Sequence, residues 1–130
     1  MLSNTGVWPS GGEIDIMEQV GSDPTTIFGT LFMDQGPSGQ SKTTQVADAC
    51  TAMHDYQLTW TADRMLIGVD NVNYYSYVNP KTGHAAWPFD SPQYLLMNIA
   101  IGGRLGGAID DAIFPVTLEV DYVKVYQPTK

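Results

Sequence analysis

Cysteine is nearly absent. Cys50 is the only one in 130 residues, which excludes an internal disulfide and a thiolate metal cluster and leaves an ordinary thiol. Positive charge is scarce as well. Six Lys and Arg stand against fourteen Asp and Glu, a net charge of −8, and that balance repels phosphate backbones and anionic lipid, so nucleic acid and membranes are not expected as partners. No stretch approaches the ~18 apolar residues of a bilayer span. The opening MLSNTGVWPS has neither a basic nor an apolar leader region, so no cellular address is readable in it. Helical patterning is also lacking. No segment sustains a 3.6-residue apolar period, and at most one short helical turn fits, near PFDSPQ at 88–93.

What is present is turn-rich and globular: 43% hydrophobic residues, 13 Gly, 8 Pro and only 15% charged residues. A chain of this length is read as one domain, 1–130, able to bury roughly two-thirds of its unfolded surface. Alternating or continuously apolar runs recur at 13–20, 26–33, 56–60, 64–69, 72–78, 94–101 and 116–126. Each is bounded by Gly, Pro, Asn or Asp, as strands are. VDNVN around Asp70 and NPKTG at 79–83 read as turns. Short strands without helices predict an all-β fold, an antiparallel sandwich or barrel. No repeat, linker or low-complexity tract interrupts it.

The run EIDIMEQV carries three carboxylates, Glu13, Asp15 and Glu18. In a regular strand Glu13 and Asp15 share one face, whereas Glu18 falls on the other with Ile14 and Ile16 and points into the core. Burying a lone carboxylate is costly. A β-bulge at Ile16-Met17 removes the conflict by shifting the phase, so that all three acids line one surface. The two glutamates are then roughly 13 Å apart by strand rise. Inward-leaning side chains narrow this towards the ~5–5.5 Å of a retaining glycosidase pair. Asp15 between them keeps their titrations apart, one ionised and its neighbour protonated. On spacing alone, a solvated strand face or a calcium-binding acid cluster is the favoured reading.

With its flanks the stretch VWPSGGEIDIMEQVG resembles the active-site segment of glycoside hydrolase family 16, in its laminarinase-like branch. The similarity continues through HDYQLTWTADRMLIGVDN (54–71), WPFDSPQYLLMNIAIGG (87–103) and IDDAIFPVTLEVDYVKVYQ (109–127). The resemblance implies a concanavalin-like jelly-roll sandwich with Glu13 as nucleophile, Asp15 as assisting carboxylate and Glu18 as general acid/base. It implies a β-glucan substrate and an extracellular setting. Trp8 falls where such enzymes place an aromatic near the cleavage point, or else serves packing. Asn98 is expected in the cleft on a strand at 94–101, with Arg104 in the glycine-rich loop GGRLGG as a further sugar contact. Trp87 to Asp90 are expected to pack beneath the cleft strand. Asp121 resembles a position that supplies a calcium ligand in relatives, the alternative being a satisfied carboxylate at a sheet edge.

The chain also departs from the family pattern. Phe28 and Phe32 stand where relatives frequently carry His, which removes a donor beside the catalytic strand. His54 and His84 are expected at the surface. The chain further looks like the later half of such a domain, catalytic strand 12–20 first, with the earlier half absent. Open apolar edges then predict a homo-oligomer or a strand-exchanged dimer. The expected activity is endo-hydrolysis of β-1,3 or mixed-linkage glucan with retention. The rival is a non-catalytic glucan-binding or assembling fragment, and an agarose- or carrageenan-directed enzyme is weaker because sulfated polymers suit a −8 chain poorly.

Overall fold

A computed structural model describes residues 1–127. The chain divides into two compact units, Met1–Leu96 and Met97–Lys130. In the first unit the strands are β1 (Leu2–Ser3), β2 (Glu13–Val20), β3 (Asp23–Phe32), β4 (Lys42–Gln45), β5 (Tyr56–Trp60), β6 (Arg64–Val69), β7 (Val72–Val78) and β8 (Gln93–Tyr94). They form two antiparallel sheets, β4-β3-β2-β1-β8 and β5-β6-β7. The fold is therefore all-β, an antiparallel sandwich.

The sheets share one core, in which Ile14 and Leu31 from the larger sheet meet Met65, Ile67 and Tyr75 from the smaller. Met33, Trp87 and Phe89 close it. Truncating a residue as buried as Ile14 or Ile67 to Ala would cost about 2–5 kcal/mol. Period-2 alternation produces this core on β3, where Ile27 and Leu31 face inward. Gly29 shares that inward face. A Cβ there would stand 2.8 Å from Tyr74 Oη and 3.2 Å from Ile67 Cδ1, so only glycine lets the second sheet approach.

The β6–β7 hairpin turns at Asp70 and Asn71, with φ of 50° and 67°, between paired Val69 and Val72. This is the two-residue hairpin turn that Asp and Asn tolerate best among non-glycine residues. Two short strands, β1 and β4, fall outside the expected runs; KTTQ in β4 is polar because it is an edge strand.

Two expectations are corrected. The run 94–101 contributes only its first residue to β8, and 116–126 forms no strand. Both are alternating apolar segments, but among the described residues no neighbouring strand pairs with them, and a strand exists only through a ladder. Residues such as Leu118, Val120 and Val125 stay exposed. The stretch 88–93, where at most one short helical turn fits, holds no helix. Helical structure lies instead in the second unit, as α1 (Gly103–Gly106) and a 3-10 turn at Asp111–Ile113 capped by Asp110.

Candidate active site

The register of β2 against β3 decides the site. Asp15 pairs with Thr30 and Glu18 with Phe28, so Ile16 and Met17 together oppose the single residue Gly29. This is the expected bulge, at the expected place. Glu13 pairs with Phe32, and directly opposed residues project to the same side of a sheet. Glu13, Asp15 and Glu18 therefore share one face with Phe32, Thr30 and Phe28, opposite to the core face of Ile14, Ile27 and Leu31.

Each acid has its own surroundings. Trp8 Nε1 donates to Glu13 Oε2 at 2.6 Å, and the Trp8 ring rests on Phe32, centroids 5.5 Å apart. Phe32 thus buttresses the indole that donates to Glu13. The loop carrying Trp8 is pinned by Ser10 Oγ donating to Asp34 Oδ1 at 2.9 Å. It enters β2 through Gly12, whose φ is +85° and where an added Cβ would stand 3.0 Å from Pro88 and Phe89, leaving no room for a side chain. Asp15 is pushed up to about 7, first by burial, then by the charges of Glu13 and Glu18, and by a hydrogen bond shared with Glu13. Asp15 is therefore partly protonated near neutral pH. Glu18 is exposed, and its Oε2 accepts from Thr30 Oγ1 at 3.2 Å. Thr30 in turn lies 2.8 Å from Ser41 Oγ.

The structure thus brings Trp8, Glu13, Asp15 and Glu18 together. Asn98, Arg104 and Asp121 belong to the second unit and are exposed there. Asn98 is not on a strand, because its run lacks a ladder. Arg104 lies in the short α1 rather than in a loop. Asp121 sits on no sheet edge, and among the described residues no three His, Cys, Asp or Glu side chains gather as a metal centre. The described residues therefore do not fit the calcium shell expected around Asp121.

His54 is a further correction. Its side chain is only 11% exposed, with Nδ1 2.7 Å from Asp70 Oδ2 and Nε2 3.2 Å from Asp48 Oδ1. The Asp70 hydrogen bond is the main cause lifting its pKa above the ordinary histidine value. His84 is exposed, as expected, 3.8 Å from Asp90. Sequence reasoning missed Thr30 and Ser41. A threonine in a β-prone run carries no signal until the ladder sets it opposite Asp15.

Comparison with known proteins gives this arrangement its context. A curated beta-glucanase of Rhodothermus marinus is 39% identical over 92% of this chain and 46% of its own length. The solved structure of SCLam, a non-specific endo-beta-1,3(4)-glucanase co-crystallised with 1,3-beta-D-cellobiosyl-cellobiose, superposes with a TM-score of 0.80 at 49% identity, over 88% of this chain and 46% of the other. The laminarinase from Flavobacterium sp. UMI-01 gives 0.75 and 40%, over 83% and 48%. The chain spans about half the length of these relatives. The model of glycosyl hydrolases family 16 matches residues 1–124, and with the bulged acid strand in place the chain belongs to that family.

Proposed function

We propose that this chain bears the catalytic face of a retaining endo-β-1,3(4)-glucanase. The observation that carries the reading is the bulge, which turns Glu18 to the side of Glu13 and Asp15. Glu13, held by the Trp8 indole, attacks the anomeric carbon and forms a glycosyl-enzyme. Glu18 protonates the departing glycosidic oxygen and then takes a proton from the water that releases the sugar. Asp15, partly protonated near neutral pH, shares a hydrogen bond with Glu13 in the resting site and so orients that carboxylate. The sugar-facing surface belongs to a relative of glucanases, and an acidic chain suits a neutral polymer. The same reading sets its action outside the cell and includes self-association through the exposed apolar segments after Tyr94.

A second reading is favoured by the length of the match, about half of each relative: a glucan-binding or assembling fragment without turnover. Reducing-sugar release from laminarin separates the two. The chain should release sugar, and Glu13→Gln and Glu18→Gln should not. Release no greater than that of the variants selects the binder. Proton NMR of the first product should show the β-anomer, the mark of retention, and an α-anomer would exclude double displacement.

A further inference from the structure

We infer that Trp60 is the stacking platform of a second glucan-binding site, built on the smaller sheet away from the acids, an assignment that rests on the proposed glucan substrate. Trp60 pairs with Met65 and Met65 with Tyr77, one row across β5, β6 and β7. Met65 is buried in the core, and members of such a row project to one face, so the Trp60 side chain stands on the core side of the smaller sheet. Glu13, Asp15 and Glu18 stand on the far side of the larger sheet. Packed sheets lie about 10 Å apart, so one sugar ring does not reach both places. Trp60 ends its strand and stays 37% exposed there.

A cavity of about 530 Å³ opens beside it, within the size range of small-ligand sites. Buried Trp87 and Phe89 line it with Trp60, and Asn79, Lys81 and Asp90 form its polar margin. The aromatic part is held in place. Trp60 Nε1 donates to the Phe89 carbonyl at 2.9 Å, and Trp87 stacks on Tyr77 and meets Phe89 edge-on, with centroids 5.7 and 5.5 Å apart. The margin is tied as well: Asn79 Nδ2 donates to the Ala62 carbonyl at 2.9 Å, Asn79 Oδ1 accepts from the Lys81 backbone at 2.8 Å, and Lys81 Nζ lies 2.6 Å from Asp63 Oδ1. A site ordered in advance loses little freedom on binding. A pyranose ring has an apolar C–H face, which suits the indole, and a rim of hydroxyls, which suits the Lys81 donor and the Asp90 acceptor. Asp63 and Asp90 outnumber Lys81, so this margin disfavours a phosphate, sulfate or uronate. The occupant is a neutral glucosyl unit of the β-glucan, in a stretch of polymer away from the bond being cleaved.

The three tryptophans divide between the two places, Trp8 beside Glu13 and Trp60 with Trp87 here. Their indole N–H resonances therefore report each place separately when laminaritriose is titrated into the isotope-labelled intact chain. The Trp60 resonance should move along a saturable curve, a readout that needs no variant to fold. Asp90→Ala, a change at an exposed side chain, should weaken the midpoint of the Trp60 curve about three- to tenfold and leave that of Trp8 within about twofold of the parent. A Trp60 resonance unmoved once Trp8 is saturated, or a Trp60 midpoint indifferent to Asp90→Ala, overturns the second site and leaves the glucanase reading standing. No movement of either resonance at millimolar trisaccharide, with no sugar released from laminarin, overturns both.

Discussion

Thr30 and Glu18 meet across the β2–β3 ladder, where a buried hydroxyl holds an exposed carboxylate. Thr30 Oγ1 donates to Glu18 Oε2 at 3.2 Å, which leaves Ser41, 2.8 Å away, to donate to Thr30. Thr30→Val keeps the shape and removes the donor. It should lower kcat on laminarin about tenfold with little change in KM, because the acid/base loses its orientation rather than the substrate its grip. Thr30→Ser should restore most of the rate. Steady-state kinetics of the two variants check this.

Asp15 titrates near 7 in the folded chain, above its ordinary value of 3.8. Its ionisation opposes folding, so its contribution is fully present below about pH 4 and is lost as pH rises through 7. Asp15→Asn cannot ionise and should gain stability relative to the parent at pH 8, on the order of 2 kcal/mol after allowance for partial exposure, with little gain at pH 4. Thermal melts at both pH values measure the difference. A constant offset at the two would contradict the assignment.

His54, clasped between Asp48 and Asp70 and set edge-on to Tyr56, acts in the same direction through the opposite charge. Its raised pKa means that stability is present below the ordinary value of 6.5 and fades as pH climbs through the folded value. His54→Ala should lower the melting temperature at pH 5.5 and leave it nearly unchanged at pH 9. Melting curves across that interval test the clasp.

Gly29 and Tyr74 form a steric pair behind the bulge. Gly29→Ala brings a methyl against Tyr74 Oη and Ile67 and should cost about 1–3 kcal/mol in urea unfolding. Among the described residues the buried Tyr74 hydroxyl has no hydrogen-bond partner. Tyr74→Phe should therefore be neutral or stabilising alone, and should recover part of the Gly29→Ala loss when the two are combined.

The acid strand was unusually legible, because burying Glu18 among Ile14 and Ile16 is costly enough to force a bulge into the reading, and the ladder places it at Ile16-Met17. The strands at 56–60, 64–69 and 72–78 were equally legible: their apolar alternation meets partners within the same unit. The runs at 94–101 and 116–126 have the same pattern and mostly no ladder, since alternation records only a readiness to pair. The sugar contact assigned to Asn98 relied on such pairing. Thr30, Ser41 and Tyr94 carried no local signal at all.

The sequence by itself determined that the chain is all-β, that three carboxylates crowd one strand, and that a phase slip must reconcile them with the core. These follow from side-chain alternation and the cost of buried charge, which act within a few residues. Only the tertiary structure decided that Asp15 titrates near neutral pH, which hydroxyl supports Glu18, and that Tyr94 shares a face with Glu13. Those depend on strand register and burial, which arise when distant segments pair and exclude water.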